Sequence, residues 1–186
     1  MKVGVYPGSF NPVHIGHLAL ANYLCEFEGF DEIWFLVTPR NPLKEEVETY
    51  SNEQRFRWLQ SAIKGFSKFK VSDFEWNLPR PHYTIHTLRA LKEAFPENEF
   101  SLLIGADNWA IFDQWKESAA LLNEFQVVVY PRKGYALSEK NKPDSVFFSA
   151  APLMEISSTF IRESIQDGKN VRFFLPDGVF EELTIK

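Results

Sequence analysis

The sequence predicts an α/β protein, a doubly wound parallel sheet with helices on both faces. Short apolar runs of strand length alternate along the chain with segments whose apolar residues recur at helical spacing. Alternation of that kind indicates a parallel sheet wrapped on both sides. Residues 33–37 (IWFLV) are apolar without a break, which suits a strand covered on both faces rather than one facing water. No repeat, low-complexity tract or internal linker interrupts the 186 residues. One domain spanning 1–186, with a substantial apolar core, is therefore expected.

Taken in order, residues 2–6 are the first strand and about 16–28 the first helix, ending near Gly29. Residues 33–37 are the second strand. Residues 38–50 hold two prolines and mixed charges, so they should form a loop, placed by the preceding strand at the carboxyl edge of the sheet. Residues 52–66 read as a helix presenting Phe56, Leu59 and Ile63, with Gly65 near its end. Residues 69–74 alternate like a strand, 76–83 are irregular, and 84–95 form a helix with Ile85, Leu88 and Leu91 on one face. A strand at 100–104 leads through Gly105 to short helices around 109–112 and 116–122, then to a buried strand at 125–130. Residues 133–144 are polar and broken by Gly134 and Pro143, a mobile surface loop. Residues 146–148 make a last short strand. Ser157, Ser158 and Thr159 can cap a helix from about 159 to 167 that stops at Gly168, and Pro176 opens a closing helix.

Composition narrows the function classes. The net charge is −5 and no long basic run occurs, which argues against a nucleic-acid-binding surface. Any site for a phosphate group would therefore need local, not global, positive charge. The 18 phenylalanines suggest ring-lined packing or a base-stacking pocket, with most of the rings in the core. A single cysteine, Cys25, excludes an internal disulfide and a CxxC metal site and reads as a buried, inert thiol. The N-terminus runs straight into a strand with no secretory pattern, and no apolar run reaches membrane-spanning length. A cytoplasmic protein with no membrane partner is expected.

Two short words carry chemistry. In the first, Gly8-Ser9-Phe10-Asn11-Pro12-Val13-His14-Ile15-Gly16-His17-Leu18, a strand turns through glycine and proline into a helix. Free N–H groups and the helix dipole at that start favour an anion. His14 and His17, three residues apart, lie on roughly one side and can donate to one group. Gly8 allows close backbone approach, and Gly16 leaves room between the imidazoles. The second word is Ile156-Ser157-Ser158-Thr159-Phe160-Ile161-Arg162, where hydroxyls and free N–H groups at a helix start form another anion site with Arg162 in its first turn. Each word also has a bland reading, as surface histidines or as a serine cap. Neither is a Walker loop nor GxGxxG.

The first word resembles the GGTFDPxHxGH signature of the nucleotidylyltransferase superfamily, with Ser9 and Asn11 in place of the commonest letters. HIGH is also a signature of class I aminoacyl-tRNA synthetases, but this chain has no KMSKS loop and is too short for one. The second word resembles the ISSTxxR motif of the bacterial nicotinate-nucleotide adenylyltransferases. The likeness covers nearly the whole chain. Pro39, Pro42 and Lys44 resemble that family's proline loop ending in a phosphate-binding lysine. Residues 83–88 (YTIHTL) resemble SYTxxTL, with His82 where serine is usual, and Ile104-Gly105-Ala106-Asp107 with Trp115 resembles IGxD…W. Tyr130-Pro131-Arg132-Lys133-Gly134 resembles the stretch that brings an arginine into the site.

The resemblance implies a Rossmann-like fold of nucleotidylyltransferase type, in which the helical part from about 157 completes the ATP site. It also implies transfer of AMP from ATP to nicotinate mononucleotide, giving deamido-NAD and pyrophosphate. The attacking phosphate monoester is already ionised at neutral pH and needs no general base, so catalysis should be positioning plus charge neutralisation. His14, His17, Lys44 and Arg162 are the candidate catalytic donors. Gly8, Ser9, Phe10, Gly105, Asp107, Ile156, Ser157 and Ser158 join His14, His17 and Arg162 as candidates for ATP. Lys44, Thr84, Trp115 and Arg132 are candidates for the acceptor, with Trp115 against the pyridine ring. Asp107 could contact ribose or position magnesium. Mg²⁺ is expected to arrive on the triphosphate, with no dedicated protein metal site. The expected partners are small-molecule nucleotides and no nucleic acid, with a homo-oligomer left open. Alternatives are an adenylyltransferase for nicotinamide mononucleotide or phosphopantetheine, a cytidylyltransferase for a phosphoalcohol, and a nucleotide-sensing module without turnover.

Overall fold

The computed structural model describes residues 1–39 and 50–184. Among these residues, six strands form one sheet: β1 (Lys2–Gly8), β2 (Glu32–Val37), β3 (Phe69–Ser72), β4 (Glu99–Gly105), β5 (Gln126–Tyr130) and β6 (Val146–Phe148). Their order is β3-β2-β1-β4-β5-β6, and every pairing is parallel. The helices are α1 (Ile15–Glu28), α2 (Asn52–Ala62), α3 (Thr84–Ala94), α4 (Ala106–Trp109), α5 (Ser118–Glu124), α6 (Ser158–Gln166) and α7 (Asp177–Thr184). The doubly wound parallel sheet expected from the sequence is present.

Side-chain alternation sorts the strands into two cores. Ile33, Phe35 and Val37 of β2, Leu103 of β4 and Val128 of β5 pack on one face with α1, α2, α6 and α7. Trp34, Leu36, Leu102, Ile104, Val127 and Val129 pack on the other with α3 and α5. This is why the central strands read as unbroken apolar runs: both faces are dry, so no polar alternation remains. Local chemistry sets the helix ends. Gly29 takes φ 75° after α1 and returns its N–H to the Leu24 carbonyl, a left-handed stop that glycine adopts at little cost. The Ser51 hydroxyl accepts from the Gln54 N–H at the start of α2.

Several boundaries differ from expectation. The helix predicted to 66 ends at Ala62, because residues from Ile63 onward turn into a left-handed Gly65 at φ 87°. Its buried face is Arg55, Trp58 and Leu59, with Phe56 and Ile63 only partly buried. The strand predicted to 74 stops at Ser72, whose hydroxyl accepts the Phe74 N–H. That local turn competes with extension, and Phe74–Asn77 winds into a 3₁₀ turn. The helices expected near 109–112 and 116–122 are α4, a 3₁₀ turn at Phe112–Gln114, and α5. No helix among the described residues is long and apolar enough to cross a membrane.

Candidate active site

From β1 the chain winds outward one way through β2 and β3 and the other way through β4, β5 and β6. The connections leaving β1 and β4 therefore diverge and open a crevice at the carboxyl edge of the sheet, where open α/β folds bind ligands. A cleft of about 560 Å³ lies there. It is lined by Ser9, His14, Asp107, Trp115, Ser158 and Arg162, among others.

The β1–α1 connection, which lines the cleft, is fixed by an unusual backbone. Phe10 takes φ 47°, a left-handed conformation that costs a bulky residue energy. Its ring is 2% exposed and meets Tyr6 at 5.4 Å, His17 at 5.0 Å and Phe35 at 5.6 Å between centroids. Burial of that ring offsets the strain. Gly8 is required beneath it, since a Cβ there would stand 2.9 Å from the ring.

His14 immediately precedes α1, and its ring stacks on His17 with centroids 3.6 Å apart. The His14 backbone N–H donates to His17 Nδ1 at 3.2 Å. That acceptance leaves the neutral His17 ring with its proton on Nε2, a donor toward bound ligand. Burial, with the positive charge of Arg132, lowers His14 to about pKa 3. Burial, His14 and Arg132 likewise hold His17 well below the ordinary histidine value. Both rings are therefore neutral N–H donors. The space expected between the imidazoles is absent because they stack. Gly16 instead clears the flank of His14, where a Cβ would approach Nδ1 to 3.0 Å and Ile156 to 3.5 Å.

The second word closes on the first. Ser157 caps α6 by accepting the Phe160 N–H at 3.1 Å. The Ser158 hydroxyl donates to the Pro12 carbonyl at 2.9 Å, and Arg162 Nη1 donates to the Asn11 carbonyl at 2.8 Å. Residues about 150 positions apart are thus joined directly, and the N-terminus of α6 faces the same cleft as the two imidazoles. Asn11 is 7% exposed. An uncharged side chain there avoids the cost of desolvating an aspartate.

The cleft is also lined by Thr84, Trp115, Asp107 and Arg132, and Arg132 borders a smaller pocket together with His14 and His17. Thr84 is the first residue of α3, and Tyr83 occupies the cap position, so the threonine hydroxyl is not the helix cap. The Trp115 ring lies 5.3 Å from Phe112, and its buried Nε1 has no partner among the described residues. Arg132 Nε stands 3.6 Å from Asp107 Oδ1, an ion pair too long to be a hydrogen bond, and its guanidinium covers Tyr130 at 5.2 Å. Gly105 does not line the cleft. It lets this pair form, because a Cβ there would lie 2.2 Å from Asp107 Oδ1 and 3.0 Å from Arg132 Nε. Lys44 and Pro42 lie outside the described residues.

Sequence reasoning missed three groups. Glu75, 5% exposed, accepts from the Thr87 hydroxyl at 2.9 Å on the cleft wall, and burial raises its pKa. His82 lines the same wall with both ring nitrogens buried and without a partner among the described residues. Arg55 is fully buried on α2 behind the β1–α1 connection. Its sequence signal was an arginine four residues before Leu59, inside an otherwise apolar stripe. Nothing in the sequence marks Glu75. Among the described residues, no group of three or more His, Cys, Asp or Glu side chains is placed to hold a metal ion.

A family model for cytidylyltransferase-like proteins matches residues 5–164. The chain belongs to that family. The match takes in both words and most of the cleft wall between them. Within the cytidylyltransferase-like family, the chain is 53% identical to a protein of Bacteroides fragilis (strain YCH46) described as a probable nicotinate-nucleotide adenylyltransferase, over 98% of this chain and 90% of that protein. It is 51% identical to a protein of the same description from Azobacteroides pseudotrichonymphae genomovar. CFP2, over 98% and 96%. The fold is similar to that of Plasmodium falciparum nicotinic acid mononucleotide adenylyltransferase complexed with NaAD. The TM-score is 0.74 at 19% identity, covering 92% of this chain and 87% of that one.

Proposed function

We propose that this cytidylyltransferase-like protein is a nicotinate-nucleotide adenylyltransferase of NAD biosynthesis. It transfers AMP from ATP to nicotinate mononucleotide and releases deamido-NAD and pyrophosphate. The observation that carries the reading is the junction of the two words. Ser158 and Arg162 bond to the carbonyls of Pro12 and Asn11, so donors from both ends of the chain surround one cleft. The identity with adenylyltransferases across almost the whole chain supports it.

In this reading the triphosphate lies across His14, His17, the N-terminus of α6 and Arg162. The 5′-phosphate of the acceptor attacks the α-phosphorus in line, its oxygen forming the new P–O bond as the bond to the departing pyrophosphate breaks. No proton needs removal from the nucleophile, so neither Glu75 nor Asp107 acts as a base. Neutral imidazole N–H groups, Arg162 and Lys44 receive the charge that grows on the α-phosphate and pyrophosphate oxygens. Trp115 and Thr84 hold the pyridine nucleotide, and Arg132 lies near it. Mg²⁺ enters with ATP. Among the described residues the carboxylates lining the cleft are Asp107 and Glu75, and in this reading the ion is held mainly by phosphate oxygens.

The test is pyrophosphate release from ATP with a panel of acceptors: nicotinate mononucleotide, nicotinamide mononucleotide, phosphopantetheine and a phosphoalcohol paired with CTP. Release is expected to be fastest with nicotinate mononucleotide. ATP binding without release for any acceptor refutes the reading and favours a nucleotide sensor.

A further inference from the structure

Arg55 is 0% exposed and does not line the cleft. Its guanidinium nevertheless reaches the backbone that does. Nη1 donates to the Ser9 carbonyl and, at 3.1 Å, to the Thr38 carbonyl. Nη2 donates to Thr38 at 3.2 Å and to Asn52 Oδ1 at 2.6 Å. Asn52 belongs to the first turn of α2, so the fork is aimed by its own helix. Ser9 and Thr38 follow β1 and β2, and both border the cleft.

A second, independent observation concerns the next residue. Phe10 stands at φ 47°, in a region bulky residues occupy only when their surroundings over-determine it. The buried ring fixes one side of that residue. The peptide between Ser9 and Phe10 is fixed by the other clamp. In a planar trans peptide the N–H points opposite to the carbonyl, so an arginine gripping the Ser9 oxygen from behind turns the Phe10 N–H away from α2.

We propose that Arg55 is a positioning residue for the ATP phosphates: it clamps the Ser9 carbonyl so that the backbone donors of the β1–α1 connection are preset for a polyanion. A planar five-donor fork suits this work, because one group must hold two carbonyls and a side-chain amide at fixed angles. Lysine carries the charge but not the geometry. The proposal rests on the reading that the cleft binds ATP.

The experiment compares wild type with Arg55→Lys and Asn52→Ala. Amide exchange at residues 9–11 in the ligand-free protein reads the loop without any assumption about substrate. Steady-state kinetics read KM for ATP and for nicotinate mononucleotide separately. Arg55→Lys is expected to keep the native circular dichroism spectrum, to accelerate exchange at 9–11, and to raise the ATP KM by about ten- to a hundredfold, with the acceptor KM within about twofold. Asn52→Ala, which leaves the guanidinium in place but unaimed, gives the same pattern more weakly and carries the test should Arg55→Lys unfold. Unchanged exchange with unchanged ATP KM overturns the proposal, as does an equal rise in both KM values, which marks a merely structural arginine. Wild-type protein without turnover overturns the proposed function instead, and the exchange measurement still decides the role of the clamp.

Discussion

Two stacked imidazoles held neutral inside the fold make stability depend on pH in a defined direction. His14 is 3% exposed, and its folded-state pKa is about 3 against an ordinary value of 6.5. The folded protein therefore refuses a proton that the unfolded chain accepts below pH 6.5. This stabilising contribution is complete above pH 6.5 and is lost progressively as pH falls toward 3. The slope is about 1.4 kcal/mol per pH unit for one site, so His14 alone should remove about 2 kcal/mol between pH 7.5 and 5. His17, also lowered, acts in the same direction. Glu75, whose carboxyl is raised, acts in the opposite direction, so the comparison must be differential. Urea unfolding of wild type and His14→Gln at pH 7.5, 6 and 5 measures it. Wild type should lose about 2 kcal/mol more than the variant over that interval. ATP binding should reduce the difference, since a polyanion against the rings favours their protonated form. Parallel pH curves for the two proteins, or an NMR titration placing His14 near 6.5, would refute the argument.

Three further outcomes follow from the cleft. His17→Ala should lower kcat by about 10²–10³ with folding intact, as expected for the loss of one transition-state donor, and near-normal turnover would remove its role. Trp115→Ala should raise KM for the pyridine nucleotide well beyond any change for ATP, and equal changes would remove the stacking assignment. Gly105→Ala places a methyl 2.2 Å from Asp107 Oδ1, so it should break the Asp107–Arg132 pair and raise KM; a crystal structure with the pair unmoved would contradict this.

How much of this molecule its sequence determined follows from the range of the forces involved. Alternating strand and helix patterns required a sheet dry on both faces, because unbroken runs such as residues 33–37 have no polar side to turn to water. The histidine and serine words announced helix starts with free donors, a local property of backbone and cap that needs no tertiary knowledge. Ser157 caps α6 as its position in the chain suggested. What tertiary structure alone decided concerns groups distant in sequence. The joining of Ser158 to Pro12 and Arg162 to Asn11 depends on a strand order that local patterns do not encode. Arg55 was passed over because hydrophobic periodicity registers only apolar residues, and its buried charge is met by carbonyls of two other segments, Ser9 and Thr38. Glu75 was silent for the same reason, and Gly105 was singled out as an ATP candidate, not as the glycine that admits the Asp107–Arg132 pair. Each derives its role from what packs against it, and packing is set by the whole fold.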